Sequence, residues 1–151
     1  MNTENTRTVF VGGSKNIGHL SGKAASLLSS FVERGNHILV GDCHGVDLVV
    51  QNYLHTLGYR NVTIYCAGEK CRFNVGFWAE KHVPTNEVGY AFFRAKDLDM
   101  LHACSTAFLI WNGSSRGTKN NLYTLRTLGK TVFLYRTDTD RLRVVRGKET
   151  I

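Results

Sequence analysis

Apolar residues along this chain fall in short blocks separated by polar stretches of helical length. Thr8–Gly12 (TVFVG), His37–Gly41 (HILVG), Asn61–Cys66 (NVTIYC), Thr106–Trp111 (TAFLIW) and Thr131–Tyr135 (TVFLY) are rich in β-branched and aromatic residues, and they predict five strands. The runs lack the clean apolar/polar alternation of a strand with one wet face. That marks strands buried on both sides, in a parallel sheet covered by helices. The intervening segments carry helical spacing. Ser21–Arg34 places Ala24, Leu27, Leu28 and Phe31 on one face, and Gly35 follows as a stop signal. Gly45–Leu57 places Val46, Val49, Val50, Tyr53 and Leu57 together before Gly58. Val88–Cys104 turns Ala91, Ala95, Leu98 and Leu101 inward, and Thr118–Leu128 does the same with Leu122, Leu125 and Leu128 before Gly129.

Alternation of strand and helix with right-handed crossovers predicts one doubly wound α/β domain, Rossmann-like, with helices on both faces and strand order 3-2-1-4-5. The core spans about 8–135, and a polar tail, 136–151, holds a short edge-strand pattern at Leu142–Val145. Ala67–Glu87 lacks periodicity, contains the chain's single proline, Pro84, and reads as a long irregular excursion. In such sheets ligands bind outside the carboxyl ends of the strands, at the point where strand order reverses. Here that point lies between the first and fourth strands.

Composition narrows the function classes. With 151 residues, 42% hydrophobic and 21% charged, the chain fits one globular domain, and a disordered chain is excluded. No run approaches the about 18–20 apolar residues of a membrane helix, and Met1–Thr8 has no apolar leader core, so no membrane partner and a cytoplasmic location are expected. The net charge of +7 suits a phosphate-bearing ligand or a nucleic acid, but the basic residues are dispersed rather than in runs. Cys66 and Cys71 have four residues between them, not the two of a zinc knuckle. With Cys43 and Cys104 they are read as reduced thiols, with no metal site.

Three strand ends carry chemistry. After the first strand stand Gly12, Gly13, Ser14, Lys15, Asn16, Ile17 and Gly18, a glycine-bearing turn into a helix that is neither G-x-G-x-x-G nor a Walker loop. After the second come Asp42, Cys43, His44, Gly45, Val46 and Asp47. Asp47 either sits in the first helical turn as a favourable anion or faces a ribose or base, and His44 is a possible general acid or base. After the fourth come Asn112, Gly113, Ser114, Ser115, Arg116, Gly117 and Thr118. This segment is dense in N–H, hydroxyl and guanidinium donors for an anion. In the excursion, Arg72 with Phe73, Phe77 and Trp78 either forms a lid that stacks on a base or packs the loop onto the domain. Tyr90, Phe92, Phe93 and Arg94 raise the same choice, with a dimer contact as a third option. Trp111 is either a pocket floor or a core residue.

Taken together, GGSK, GDCHGVD and NGSSRGT in these places resemble the SLOG superfamily, which includes cytokinin-activating phosphoribohydrolases, DNA-processing DprA proteins and small YspA-type proteins. The YspA-type pattern is the most similar. Gly13, Ser14 and Lys15 match its Gly-Ser-Arg with Lys for Arg. Gly45, Val46 and Asp47 match Gly-Ala-Asp with Val for Ala, and Ser115, Arg116, Gly117 and Thr118 match Ser-Arg-Gly-Thr intact. The resemblance covers about residues 8–135. It implies a nucleotide-type ligand and association of copies into a homodimer or larger oligomer.

On that basis Gly13, Ser14, Lys15, Gly113, Ser114, Ser115, Arg116, Gly117 and Thr118 are expected at phosphate, and Asp47, Arg72 and Lys96 at ribose or base. The phosphoribohydrolase chemistry transfers poorly. Lys96 and Asp97 stand where that group has Arg-Lys, and Asn121 replaces its glutamate; an amide cannot exchange the proton that a carboxylate does. The leading expectation is a sensor or sequestering protein for a small phosphorylated nucleotide, with no certain cofactor. A nucleotide-processing hydrolase using Asp42, Asp47, Asp97 or Glu87 is the first alternative, and a nucleic-acid-binding module the second.

Overall fold

A computed structural model describes residues 7–147; residues 1–6, read above for a leader, and 148–151 lie outside it. The elements run β1 (Thr8–Gly13), α1 (Gly22–Glu33), β2 (His37–Gly41), α2 (Val46–Thr56), β3 (Val62–Ala67), β4 (Ala79–Val83), α3 (Gly89–Ala103), β5 (Thr106–Trp111), α4 (Arg116–Thr127), β6 (Thr131–Arg136) and β7 (Arg141–Arg146). The strands form one sheet in the order β4-β3-β2-β1-β5-β6-β7. All neighbours are parallel except β7, which returns antiparallel along β6.

Successive strand residues point to opposite faces, and each face collects its own core. Val9, Val11, Ile38 and Val40 pack with Ala24, Leu28 and Phe31 of α1 and with Val46, Val50 and Leu54 of α2. On the other side Phe10, Leu39 and Leu109 meet Met100 and Leu101 of α3 and Leu122 and Leu125 of α4. The sheet is therefore doubly wound and Rossmann-like. The expected 3-2-1-4-5 order forms its middle, and β1 and β5 are the strands on either side of the reversal. Among the described residues no helix is long and apolar enough to cross a membrane.

The structure differs from the sequence reading in four places. The excursion is not wholly irregular, because Ala79–Val83 adds to β3 as a sixth parallel strand at the sheet edge. Its sequence, AEKHV, has no apolar run because almost all of it is exposed, which hid it. The edge strand expected at Leu142–Val145 is present and slightly longer.

The inward faces of α2 and α3 are more polar than periodicity suggests. Asp47 and Gln51 are buried on α2 while Leu57 is exposed. On α3, Lys96, Met100 and Leu101 are buried while Ala91 and Leu98 are exposed. In α4, Leu128 is exposed, and the helix begins at Arg116 rather than Thr118, which moves Arg116 and Gly117 into its first turn.

Finally, Cys66 and Cys71 are joined in a disulfide, against the expectation of four reduced thiols. β3 ends at Ala67, and the left-handed turn at Gly68 carries the chain back over the strand end, so the two α-carbons lie 5.0 Å apart. Cys43 and Cys104 are free.

Candidate functional site

The loops after β1 and β5 are locked together at the reversal of strand order. Gly13 lies so close to β5 that a β-carbon there would stand 2.0 Å from the Ile110 carbonyl oxygen. Buried Ser14 is the hub. Its N–H donates to Ile110 O at 3.0 Å, its carbonyl accepts from Val46 N at 3.2 Å, and its Oγ accepts from Asn112 N at 3.1 Å. Its Oγ also lies 2.6 Å from Ser115 Oγ. A single serine thus ties β1, β5 and the starts of α2 and α4 into one frame. Gly45, at φ +77°, completes it, since a β-carbon there would strike the Lys15 backbone at 2.4 Å.

The start of α4 presents donors outward. Asn112 Oδ1 accepts from the N–H groups of Ser114 and Ser115, each at 2.9 Å, and from Ser114 Oγ at 3.2 Å. Gly113 makes this turn at φ +88°. Ser115 is the N-cap residue, but its hydroxyl is held by Ser14, and no side chain caps the helix. The N–H groups of Arg116, Gly117 and Thr118 have no intrahelical acceptor by their position in the first turn. A β-carbon at Gly117 would meet nothing within 4 Å, so a side chain at this position has free space. Arg116 in this turn and Lys15, next to Ser14, are exposed, and neither has an ion-pair partner among the described residues. Thr118 is buried beneath the turn, and Trp111 is a core residue whose Nε1–H donates to Ser115 O at 3.0 Å.

A charged network lies at the carboxyl end of β2. Asp47 and Lys96 converge on the α-carbon of Gly41, where a β-carbon would stand 2.5 Å from Asp47 Oδ2 and 2.9 Å from Lys96 Nζ. A larger residue at this position would have to displace one or both. Asp47 Oδ2 accepts from Cys43 N–H at 3.1 Å, so this side chain turns back across the β2–α2 loop instead of capping its helix. Burial pushes the Asp47 carboxyl up to about 6, against the pull of Lys96. Burial works against the charge on Lys96, but the Asp97 and Asp47 carboxylates outweigh it and hold the ammonium above its usual range. Lys96 Nζ is 2.8 Å from Asp97 Oδ1, and Arg94 lies beside Asp97 at 3.9 Å. Arg94 in turn donates to Asn121 Oδ1 and, at 3.3 Å, to Thr124 Oγ1. Asn121 is therefore buried as the acceptor for a guanidinium.

Residues 71–75 lie over this end of β2 and are held by two buried polar side chains. Asp42 accepts from Arg72 N at 2.8 Å, Nε at 3.3 Å and Nη2 at 2.9 Å. Burial opposes the Arg72 charge, but this bonding to Asp42 outweighs it, and the guanidinium stacks 4.3 Å from the Phe93 ring centroid. Gln51 Nε2 donates to Gly41 O at 2.9 Å and Phe73 O at 3.1 Å, while Gln51 Oε1 accepts from Val75 N at 2.9 Å. Phe73 packs edge-on to exposed His44. Trp78 is buried, and Phe77 projects into solvent.

The sequence-identified residues thus assemble in two neighbouring groups. Ser14, Ser115, Lys15, Arg116, Gly117 and Thr118 gather at the β1–β5 reversal. Asp47, Lys96 and Arg72 gather at the end of β2, each already engaged by protein partners. Asp42 was singled out as a candidate carboxylate and Arg94 for a lid, packing or dimer contact, and the structure uses both to hold neighbouring groups; Gln51 and Gly41 were missed. A glutamine inside an apparently solvent-facing turn of α2 gives no linear signal, and Gly41 reads simply as a strand end. Compared with known proteins, the chain matches no family model, no curated protein and no solved structure.

Proposed function

We propose that this protein binds a small phosphorylated nucleotide, or a signal derived from one, across the carboxyl ends of β1, β2 and β5. The observation that carries this reading is the first turn of α4. Its N-cap hydroxyl is drawn to Ser14, no side chain caps its amides, and exposed Arg116 and Lys15 belong to the two loops that Ser14 and Ser115 join. Helix-start amides with adjacent cations suit a phosphate. The resemblance of the three strand-end motifs to the SLOG superfamily points the same way. The fixed Ser14–Ser115 frame lets the backbone donors act without reorganising on binding.

The test is thermal unfolding against nucleoside monophosphates, cyclic and linear dinucleotides, NAD and ADP-ribose. A ligand at one hundred times its Kd adds about 2.7 kcal/mol, a shift of about 5–10 °C for a chain of this size. Arg116→Ala is expected to erase the shift. Gly117→Ala meets no atom in the fold and, in a helical turn, is expected to raise the melting temperature of the free protein slightly. It should nevertheless weaken the ligand by crowding the approach to the amides. A panel with no shift, or a hit indifferent to both substitutions, overturns the reading.

A second reading, hydrolysis of the bound nucleotide, is favoured by one observation. Asp47 is a buried carboxyl whose pKa is pushed up to about 6, toward the working range of a general acid or base. Asp47→Asn separates the two. It should abolish turnover in an enzyme and leave affinity within a few fold in a binder.

A further inference from the structure

A second cluster lies at the opposite edge of the sheet from β7, away from the strand-order reversal. Cys66 on β3 and His82 on β4 are register partners, so their side chains stand side by side on one face of the sheet. The turn at Gly68 brings Cys71 back over Cys66. Both sulfur atoms and a ring nitrogen of His82 lie within 4.8 Å of one another. His82 Nε2 donates to Glu80 Oε1 at 2.8 Å, and Asn74 Nδ2 donates to Glu80 Oε2 at 2.8 Å. With the Nε2–H donating to Glu80, the ring position left to offer a lone pair to a cation is Nδ1. Asn74 fixes the carboxylate, and the carboxylate fixes the ring.

A disulfide needs neither the histidine nor its carboxylate. Two thiolates and an imidazole oriented by a carboxylate are, by contrast, the donor set and outer shell of a site for a borderline-soft divalent cation. We propose that Cys66, Cys71 and His82 bind a zinc-class divalent cation when the Cys66–Cys71 bond is reduced, with Glu80 as the residue that positions His82. Disulfide and metal are then alternative states of one site. In the first step two molecules of a low-molecular-weight thiol reduce the Cys66–Cys71 bond; they become a disulfide, and the protein regains two thiols. In the second step the cation displaces one proton from each thiol and takes the lone pair of His82. Three protein ligands leave a fourth position for water or an outside ligand. His82 also borders a surface depression with Gly68, Glu69, Pro84, Thr85 and Asn86, and Cys71 is half-buried. This inference does not depend on the nucleotide reading.

The experiment is a cobalt titration of the full-length chain, reduced anaerobically with a phosphine that is then removed. One Co²⁺ per chain is expected, with thiolate-to-cobalt charge-transfer absorption and tetrahedral ligand-field bands, both bleached by zinc. Cys71→Ser should remove the charge transfer from Cys71, and His82→Ala the tetrahedral bands. Glu80→Gln should weaken affinity by about 10–100-fold with the bands retained. Should Cys71→Ser fail to fold, His82→Ala and Glu80→Gln, both on the exposed edge strand, still decide the matter. The proposal is overturned if the folded chain resists reduction. It also fails if the reduced thiols bind cobalt without charge transfer, or if affinity is indifferent to His82.

Discussion

Asp47 shows how one buried side chain couples stability to pH. Its carboxyl holds a proton up to about pH 6 in the folded chain, whereas the unfolded chain releases it near 3.8. Between these values the folded state binds more protons, so stability falls as pH rises from about 4 to about 6 and is level above that. Asp47→Asn keeps an oxygen for the Cys43 amide and removes the titration. It should match the parent at pH 4 and exceed it by about 1–3 kcal/mol at pH 7.5. Urea unfolding at the two pH values checks this, and a parent profile without a fall across that window contradicts it.

At the scale of elements, α2 does two tasks with one face. Val46, Val50 and Leu54 bury it in the core, and Gln51 on the same side holds the 71–75 segment. Gln51→Leu would preserve apolar packing but strip partners from Gly41 O, Phe73 O and Val75 N. A loss of about 2–3 kcal/mol is expected, with faster amide exchange at Val75 and little change in β1 or β5. Uniform exchange acceleration across the sheet would show instead that Gln51 supports the whole core. The helical pattern of α2 was legible because valine and leucine recur with its period. Its polar anchors were not, because a buried glutamine is stabilised by carbonyls and an amide distant along the chain. Lys96 was singled out for ribose or base contact, but its burial on α3 was hidden for the same reason.

At the scale of the molecule, the +7 charge is spread rather than gathered. Carboxylates partner cations at Lys23–Asp140, Arg72–Asp42, Lys81–Asp99, Lys96–Asp97 and Arg136–Asp138, around the whole body. Binding of a labelled oligonucleotide is therefore expected to stay in the non-specific range, Kd about 10⁻⁴–10⁻⁶ M at physiological salt. Fluorescence anisotropy between 50 and 200 mM salt, about the range over which phosphate contacts weaken most visibly, measures it. Tight binding with a steep salt slope would replace the small-ligand reading with a nucleic-acid one.

What the sequence determined by itself is the doubly wound sheet, its central strand order and the ends at which the donor-rich turns lie. These follow from local signals: apolar blocks of strand length, helical periods between them, and the one handedness that crossovers allow. The tertiary structure decided what those signals leave open. AEKHV becomes a strand only because β3 offers it an edge. Ser115 turns its hydroxyl to Ser14, 101 residues away in the chain, and makes no cap to the amides of α4. Cys66, Cys71 and His82 become neighbours through a turn and a strand register. Each depends on groups far apart in the chain, whose energies exist only once the sheet has brought them together.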